Sequence, residues 1–192
     1  MLVEKSMSFI EDQLNTYLKL KTKENTKRAE LSPIVKQNGN LEISGNHVGI
    51  TLVNIEEEVH GKTQGKPQAG NGPKNELVNP DIKINLYLLF SANFNEYDES
   101  LKAISHLVSF FQSRNVFERS RYPVLGPNIE RLIFDLQSLS FEQLNHLWGM
   151  MGAKYMPSLL YKMRMLVISE GEVDQYSYPI TGMHLKGTGV RQ

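Results

Sequence analysis

From Val3 onward apolar residues recur at intervals of four and three: Val3, Met7, Ile10, Leu14 and Tyr17. That is the spacing of one face of an α-helix, and Leu2 and Leu18 widen the stripe. Glu4, Lys5, Glu11, Asp12 and Lys19 fall largely outside it, so the N-terminal segment predicts an amphipathic helix. The charged run from Lys21 to Glu30 predicts a solvated loop. Ser32-Pro33 blocks any continuation, because the residue before a proline is driven out of the helical region. The pattern then turns extended: Ile34-Val35 predicts a short strand, Asn38-Gly39 a tight turn, and Leu41 and Ile43 the returning strand. In the stretch from His47, Val48, Ile50 and Leu52 alternate with Gly49, Thr51 and Val53. Both faces are apolar or small, which predicts a strand inside a sheet.

Residues 59 to 79 hold four glycines and two prolines and little apolar content, predicting a long flexible loop. Asn79-Pro80 opens the strongest strand pattern, with Ile82, Ile84, Leu86 and Leu88 on one face. Tyr97, Leu101, Ile104, Val108 and Phe111 form a second helical stripe, with Lys102, Ser105, Ser109 and Gln112 outside it. Asn95 and Asp98 are its candidate caps. Residues 113 to 128 read as irregular. A strand follows from Ile129, with Leu132, Phe134 and Leu136 on one face and Ile129, Ile133 and Leu139 on the other. Ser140-Phe141-Glu142-Gln143 fits a capping box that opens a third helix, whose apolar face is Leu144, Leu147 and Trp148 and whose stop is Gly152. A last strand runs from Leu159, and residues 172 to 192 show little periodicity. This order predicts an α+β fold, α/β only in the loose sense: a mixed, mainly antiparallel sheet of about four to six strands flanked by three helices. Residues 1–171 are expected to form one domain and 172–192 a C-terminal tail.

Composition narrows the function. Lys plus Arg is 21 and Asp plus Glu is 21 in 192 residues, so there is no basic excess to hold a nucleic acid. There is no cysteine, which removes disulfides, thiolate zinc sites and cysteine nucleophiles. No signal peptide and no apolar span of ~18 residues is present, so cytoplasmic assembly without membrane insertion is expected. His47, His60, His106, His146 and His184 are scattered, with no pair at metal-ligand spacing, and no metal site is expected. Gly61-Lys62-Thr63 is not a phosphate loop, because that motif needs a glycine where Glu56 stands. There is no Gly-x-Ser-x-Gly motif. Glu56-Glu57-Glu58 reads as a solvated strand end that discourages unwanted pairing. No catalytic residue and no cofactor is expected. Met163 and Met165 on the last strand, and Trp148, read as core residues, with subunit contact as the alternative for all three.

Three blocks in order carry a resemblance. The first is NPDIKINLYLLFSANFNEYDESLKAISHLVSFFQSRNVF. The second is LQSLSFEQLNHLWGMMGAKYMPSLLYKMRMLVI, and VGITLVNIEEE precedes both. Together they resemble the N-terminal domain of the cap, or tail-terminator, proteins of Photorhabdus virulence cassettes and antifeeding prophages, over roughly residues 1 to 170. The resemblance implies a tail-terminator-like fold and a structural role. It implies a homohexameric ring at the distal end of the inner tube, touching the last sheath layer and halting growth of both polymers. Its partners are then further copies, the inner tube protein and the sheath protein, in a particle that can be released from the cell. The loop and tail supply the candidate interface residues: Lys62, Gln64, Lys66, Asn71, Lys74, Tyr176, Tyr178, Met183 and Leu185. Another tail-completion or baseplate adaptor is the runner-up reading, and a small enzyme the third.

Overall fold

The computed structural model of the chain describes residues 2–58 and 82–167, together with three short strands at Pro67–Ala69, Asn75–Val78 and Val173–Ser177. In chain order the elements are α1 (Leu2–Thr22), β1 (Ala29–Leu31), β2 (His47–Glu57), β3 (Pro67–Ala69), β4 (Asn75–Val78), β5 (Ile82–Asn93) and α2 (Tyr97–Ser113). Then come β6 (Val116–Glu118), a 3-10 turn at Pro123–Leu125, β7 (Ile129–Gln137), α3 (Phe141–Met151), β8 (Ser158–Val167) and β9 (Val173–Ser177). The chain divides into two compact units, Met1–Val59 with Ile82–Ile168, and His60–Asp81 with Ser169–Gln192.

The first unit is built on a six-stranded sheet in the order β1-β2-β5-β8-β7-β6. Only β1 and β2 are parallel; the other four pairings are antiparallel. The expected α+β class with a mixed sheet and three helices is the observed one. Because side chains alternate across a strand, β5 sends Leu86, Leu88 and Phe90 to one face and Leu89 to the other. On the first face α1 and α2 pack over Val48, Ile50, Leu132, Phe134, Tyr161, Met163 and Met165. On the opposite face α3 seats Leu147 and Trp148 against Leu89, Ile34 and Ile43. Gly49 makes that seat possible: a Cβ there would stand 2.5 Å from Ile43 Cδ1. A buried Asn15 on α1 holds the short edge strand β1 in place. Its Nδ2 donates to Ala29 O at 2.8 Å, and its Oδ1 accepts from the Arg28 and Ala29 amides at 2.8 and 3.0 Å.

Several expectations change. The segment before β2 is not all loop, since Ala29–Leu31 pairs with Val48–Ile50. The expected hairpin around Asn38-Gly39 shrinks to one bridge, Val35 to Leu41, with Gly39 at φ +80°. The stretch 113–128 contains β6, which covers the edge of β7. Parts of 59–79 and 172–192 form strands: β3 pairs β4, and β4 pairs β9, in an antiparallel three-stranded sheet. These strands are three to five residues of mixed polarity, too short for the alternation on which the sequence reading relied. Ile129 shares the face of Leu132 because a bulge lies between Ile129 and Arg131. The N-cap of α2 is Glu96, not Asn95 or Asp98, and makes no side-chain cap bond. The capping box of α3 and the left-handed Gly152 stop form as expected.

Candidate assembly surfaces

The largest departure from the sequence pattern lies on α2. Of the stripe Tyr97, Leu101, Ile104, Val108 and Phe111, Phe111 alone is fully buried. Tyr97 is 64% exposed, Leu101 43% and Val108 37%, with Ile104 half-buried. The helix instead buries Ser100, Ala103, Leu107, Phe110 and Phe111. Two apolar stripes at helical spacing share one helix; the one at Ala103, Leu107 and Phe110 wins the core, and Phe111 at the end of the other joins it. Ser105 and Ser109 beside the exposed stripe donate their hydroxyls to the carbonyls of Leu101 and Ser105 at 2.8 and 2.9 Å. They add no unmet polar group to that face.

The face of the sheet that carries α3 is only partly covered. Beyond the helix the rows read Tyr87, Lys162, Asp135 and then Asn85, Arg164, Ile133 across β5, β8 and β7. Arg164 Nε donates to Asp135 Oδ2 at 2.8 Å. Tyr87 donates its hydroxyl to Glu56 Oε2 at 2.8 Å, which with partial burial raises the phenol pKa above its ordinary value. Lys162 Nζ lies 5.9 Å from the Tyr87 ring centroid. Asn85 is only 3% exposed, and its Oδ1 has no hydrogen-bond partner among the described residues. The other polar side chains of the two rows are half-buried, and Arg164 with Asp135 is bonded within them.

Among the described residues no group of three or more His, Asp or Glu side chains is placed to hold a metal. A groove of about 510 Å³ runs between α1, the start of β2 and α2, with Leu18, Val48, Phe94 and Ala103 in its lining. Its charges pair off: Glu24 with Arg28, and Glu99 with Lys102 at 2.7 Å. The Lys102 ammonium accordingly holds the Glu99 carboxyl below its usual pKa. His106 lines the same groove, His47 is bonded to Gly45 O at 2.8 Å, and His146 is exposed on α3. Trp148 is buried, as are Met163 and Met165. No described helix is long and apolar enough to cross a membrane.

Of the candidate interface residues, Tyr176 falls in β9, opposite Glu76. Lys62, Gln64, Lys66, Asn71, Lys74, Tyr178, Met183 and Leu185 lie outside the described residues. The surfaces the sequence reading missed are the exposed α2 stripe and the β6 edge. The first was readable in part, since Ala103, Leu107 and Phe110 form a rival stripe at the same spacing.

Comparison with known proteins gives a consistent placement. No curated protein matches the chain. Two solved structures share its fold. One is the sheath/tube terminator of PVC, an extracellular contractile injection system, in its extended state: TM-score 0.63, 13% identity, 100% of this chain and 65% of that one. The other is the tube-terminating cap of the anti-feeding prophage, with TM-score 0.55 and 13% identity over 93% of this chain and 60% of that one. The chain thus spans less than two thirds of either structure's length. The family model described as the Pvc16 N-terminal domain matches residues 7–182. The chain belongs to the Pvc16 N-terminal domain family.

Proposed function

We propose that the chain is a structural tail terminator, a cap for a phage-tail-like contractile injection system, and has no catalytic task. The observation that carries this reading is the fold shared over the whole chain with a sheath/tube terminator. Family membership over residues 7–182 supports it.

In this reading six copies close a ring on the distal end of the inner tube and touch the last sheath layer. An open tube end exposes the surface that recruits the next ring. A terminator matches that surface on one side and offers no copy of it on the other, so growth stops. The reading keeps residues 1–171 as the capping part and gives 59–79 and 172–192 the docking contacts with tube and sheath. Assembly takes place in the cytoplasm, and the finished particle is released.

The test is negative-stain microscopy of the purified chain mixed with the cognate inner tube protein. Rings seated at tube ends, with tubes shortened as the chain is titrated in, are the expected result. Tubes that grow to the same length with bare ends sink the reading.

A further inference from the structure

Helix α2 crosses the first face of the sheet from β2 to β6. Its first turns border the groove that Val48, at the start of β2, also lines. At its far end Phe111 meets Phe134 of β7 at 4.8 Å and Phe110 meets Phe117 of β6 at 6.2 Å between ring centroids. Its 17 residues span about 25 Å. The four strand spacings from β2 to β6 span about 19 Å, so α2 brings one end to each side of the sheet. The N-terminal end is acidic, and residues 95–99 are all exposed there. Glu99 is paired with Lys102 at 2.7 Å. Glu96 and Asp98 take part in no salt bridge among the described residues. Glu96, Asp98 and Glu99 less Lys102 leave an excess of two negative charges. Asp98 suits the helix dipole. Glu96, by contrast, holds the N-cap without a cap bond, and Tyr97 at the first helical position is 64% exposed. Neither of these two serves the helix.

The C-terminal end leads into β6 and the 3-10 turn, and it is basic. Among the described residues its arginines meet neutral groups: Arg114 the Tyr122 hydroxyl, Arg119 the Pro127 carbonyl, and Arg121 the Tyr122 ring, 6.0 Å from its centroid. The Arg114 guanidinium lies 5.8 Å from the same centroid, so two guanidiniums gather at Tyr122. Glu118 stands opposite Arg131, and Glu130 precedes it. Arg114, Arg119, Arg121 and Arg131 less Glu118 and Glu130 leave an excess of two positive charges. Val124, in the 3-10 turn, is 64% exposed. Each end of α2 thus shows one large apolar side chain among charges, and the two excesses are equal and opposite.

We propose that the arginine-bearing loop of one copy, residues 119–124, receives the Glu96-Tyr97-Asp98 turn of the next copy. Arg119 and Arg121 then meet the Glu96 and Asp98 carboxylates, and Tyr97 lies against Val124. A guanidinium both pairs with carboxylates and stacks on aromatic rings, and Arg with Tyr carries much of the energy of contacts between chains. A second copy is the occupant because its acidic end brings the charge that the loop lacks, in equal number. Within one chain the two ends stand about 25 Å apart and do not meet. Two acidic ends repel, as do two basic ones. The contact is therefore head-to-tail, the kind that goes on adding copies until rotation closes a ring. This rests on the reading of the chain as a ring-forming cap and names the surfaces that would join its subunits.

The experiment uses the full chain and light scattering coupled to gel filtration, with circular dichroism to confirm folding. One variant carries Glu96→Lys with Asp98→Lys; the other carries Arg119→Glu with Arg121→Glu. Each variant alone opposes like charges at the contact and self-associates at least about tenfold more weakly than wild type. An equimolar mixture restores assembly as alternating copies, because each reversed end then meets its complement. The absence of cysteine from the chain gives a second readout. Oxidised Tyr97→Cys with Val124→Cys yields a ladder of linked copies, while either single substitution stops at two. A wild type that stays monomeric overturns the proposal, as do variants that assemble alone at wild-type strength, a folded mixture that stays monomeric, or a folded double-cysteine chain without a ladder. Reversals that weaken capping yet leave self-association intact assign these ends to the tube and overturn it too. If wild type caps tube ends and the reversals change nothing, the contact fails and the terminator reading stands. If wild type leaves tube ends bare while the reversals abolish its self-association, the contact stands and the terminator reading fails.

Discussion

The two faces of the six-stranded sheet are stabilised in different ways. Under α1 and α2 the core is aromatic: Phe111 lies 4.2 Å from Tyr161, 4.8 Å from Phe134 and 4.9 Å from Phe110 between ring centroids. Phe9, Phe90, Phe117 and Tyr122 extend the same network. Under α3 the buried set is Ile34, Ile43, Leu89, Leu147 and Trp148, and the ring contact there is Trp148 with Tyr155 at 5.7 Å. The first face holds the unit together across α1, α2 and all six strands. The second fastens one helix beside rows of half-buried polar side chains.

That contrast is breakable. Phe111→Ala removes the ring that joins four aromatic neighbours, and a loss of about 3–5 kcal/mol in urea unfolding is expected. A loss below about 2 kcal/mol would show that the network is not the main core. Leu147→Ala on the other face should cost less, about 2–3 kcal/mol, because that cluster has fewer buried partners and an open rim. An equal or larger loss there reverses the ranking of the faces. Ser140→Ala tests the anchorage of α3 alone. The Ser140 hydroxyl accepts from the Gln143 amide at 3.2 Å and Gln143 Oε1 accepts from the Ser140 amide at 2.9 Å. Its loss should cost about 1 kcal/mol. Hydrogen exchange should rise in α3 and stay unchanged in α1 and α2; a rise in all three helices would mean that α3 is no separate attachment.

The sequence carried the elements with strong periodicity. It carried α1, β5, β7 and β8, and it carried α3 down to its capping box, because each has either a long apolar stripe or specific cap chemistry. It failed where three-residue strands form, at β1 and β6, since an edge strand of that length is fixed by its neighbour and not by its own pattern. The buried Asn15 that fastens β1 lies 14 residues away from it, which local spacing does not reveal. The run Glu56-Glu57-Glu58 was legible as the end of a strand, and β2 closes at Glu57.

The smallest expected effect concerns the residue where pattern and fold disagree most sharply. Leu101 belongs to a stripe with the same spacing as a core stripe, yet it is 43% exposed and lies outside the buried set of Ser100, Ala103, Leu107, Phe110 and Phe111. If the core owns that stripe, replacing Leu101 with a polar residue of similar length leaves a polar group in an apolar setting and costs several kcal/mol. If the stripe faces water, Leu101→Gln exchanges one good helix former for another and exposes less apolar surface, so the change stays within about 0.5 kcal/mol. The urea midpoint of the isolated chain separates these. A shift equivalent to more than about 1 kcal/mol would place Leu101 in the core and return α2 to the rotation that its sequence pattern first suggested. An unchanged midpoint keeps the aromatic stripe inside and leaves Tyr97, Leu101 and Val108 facing solvent, on the side of the unit that is closed by two helices and not on the one that α3 leaves half open.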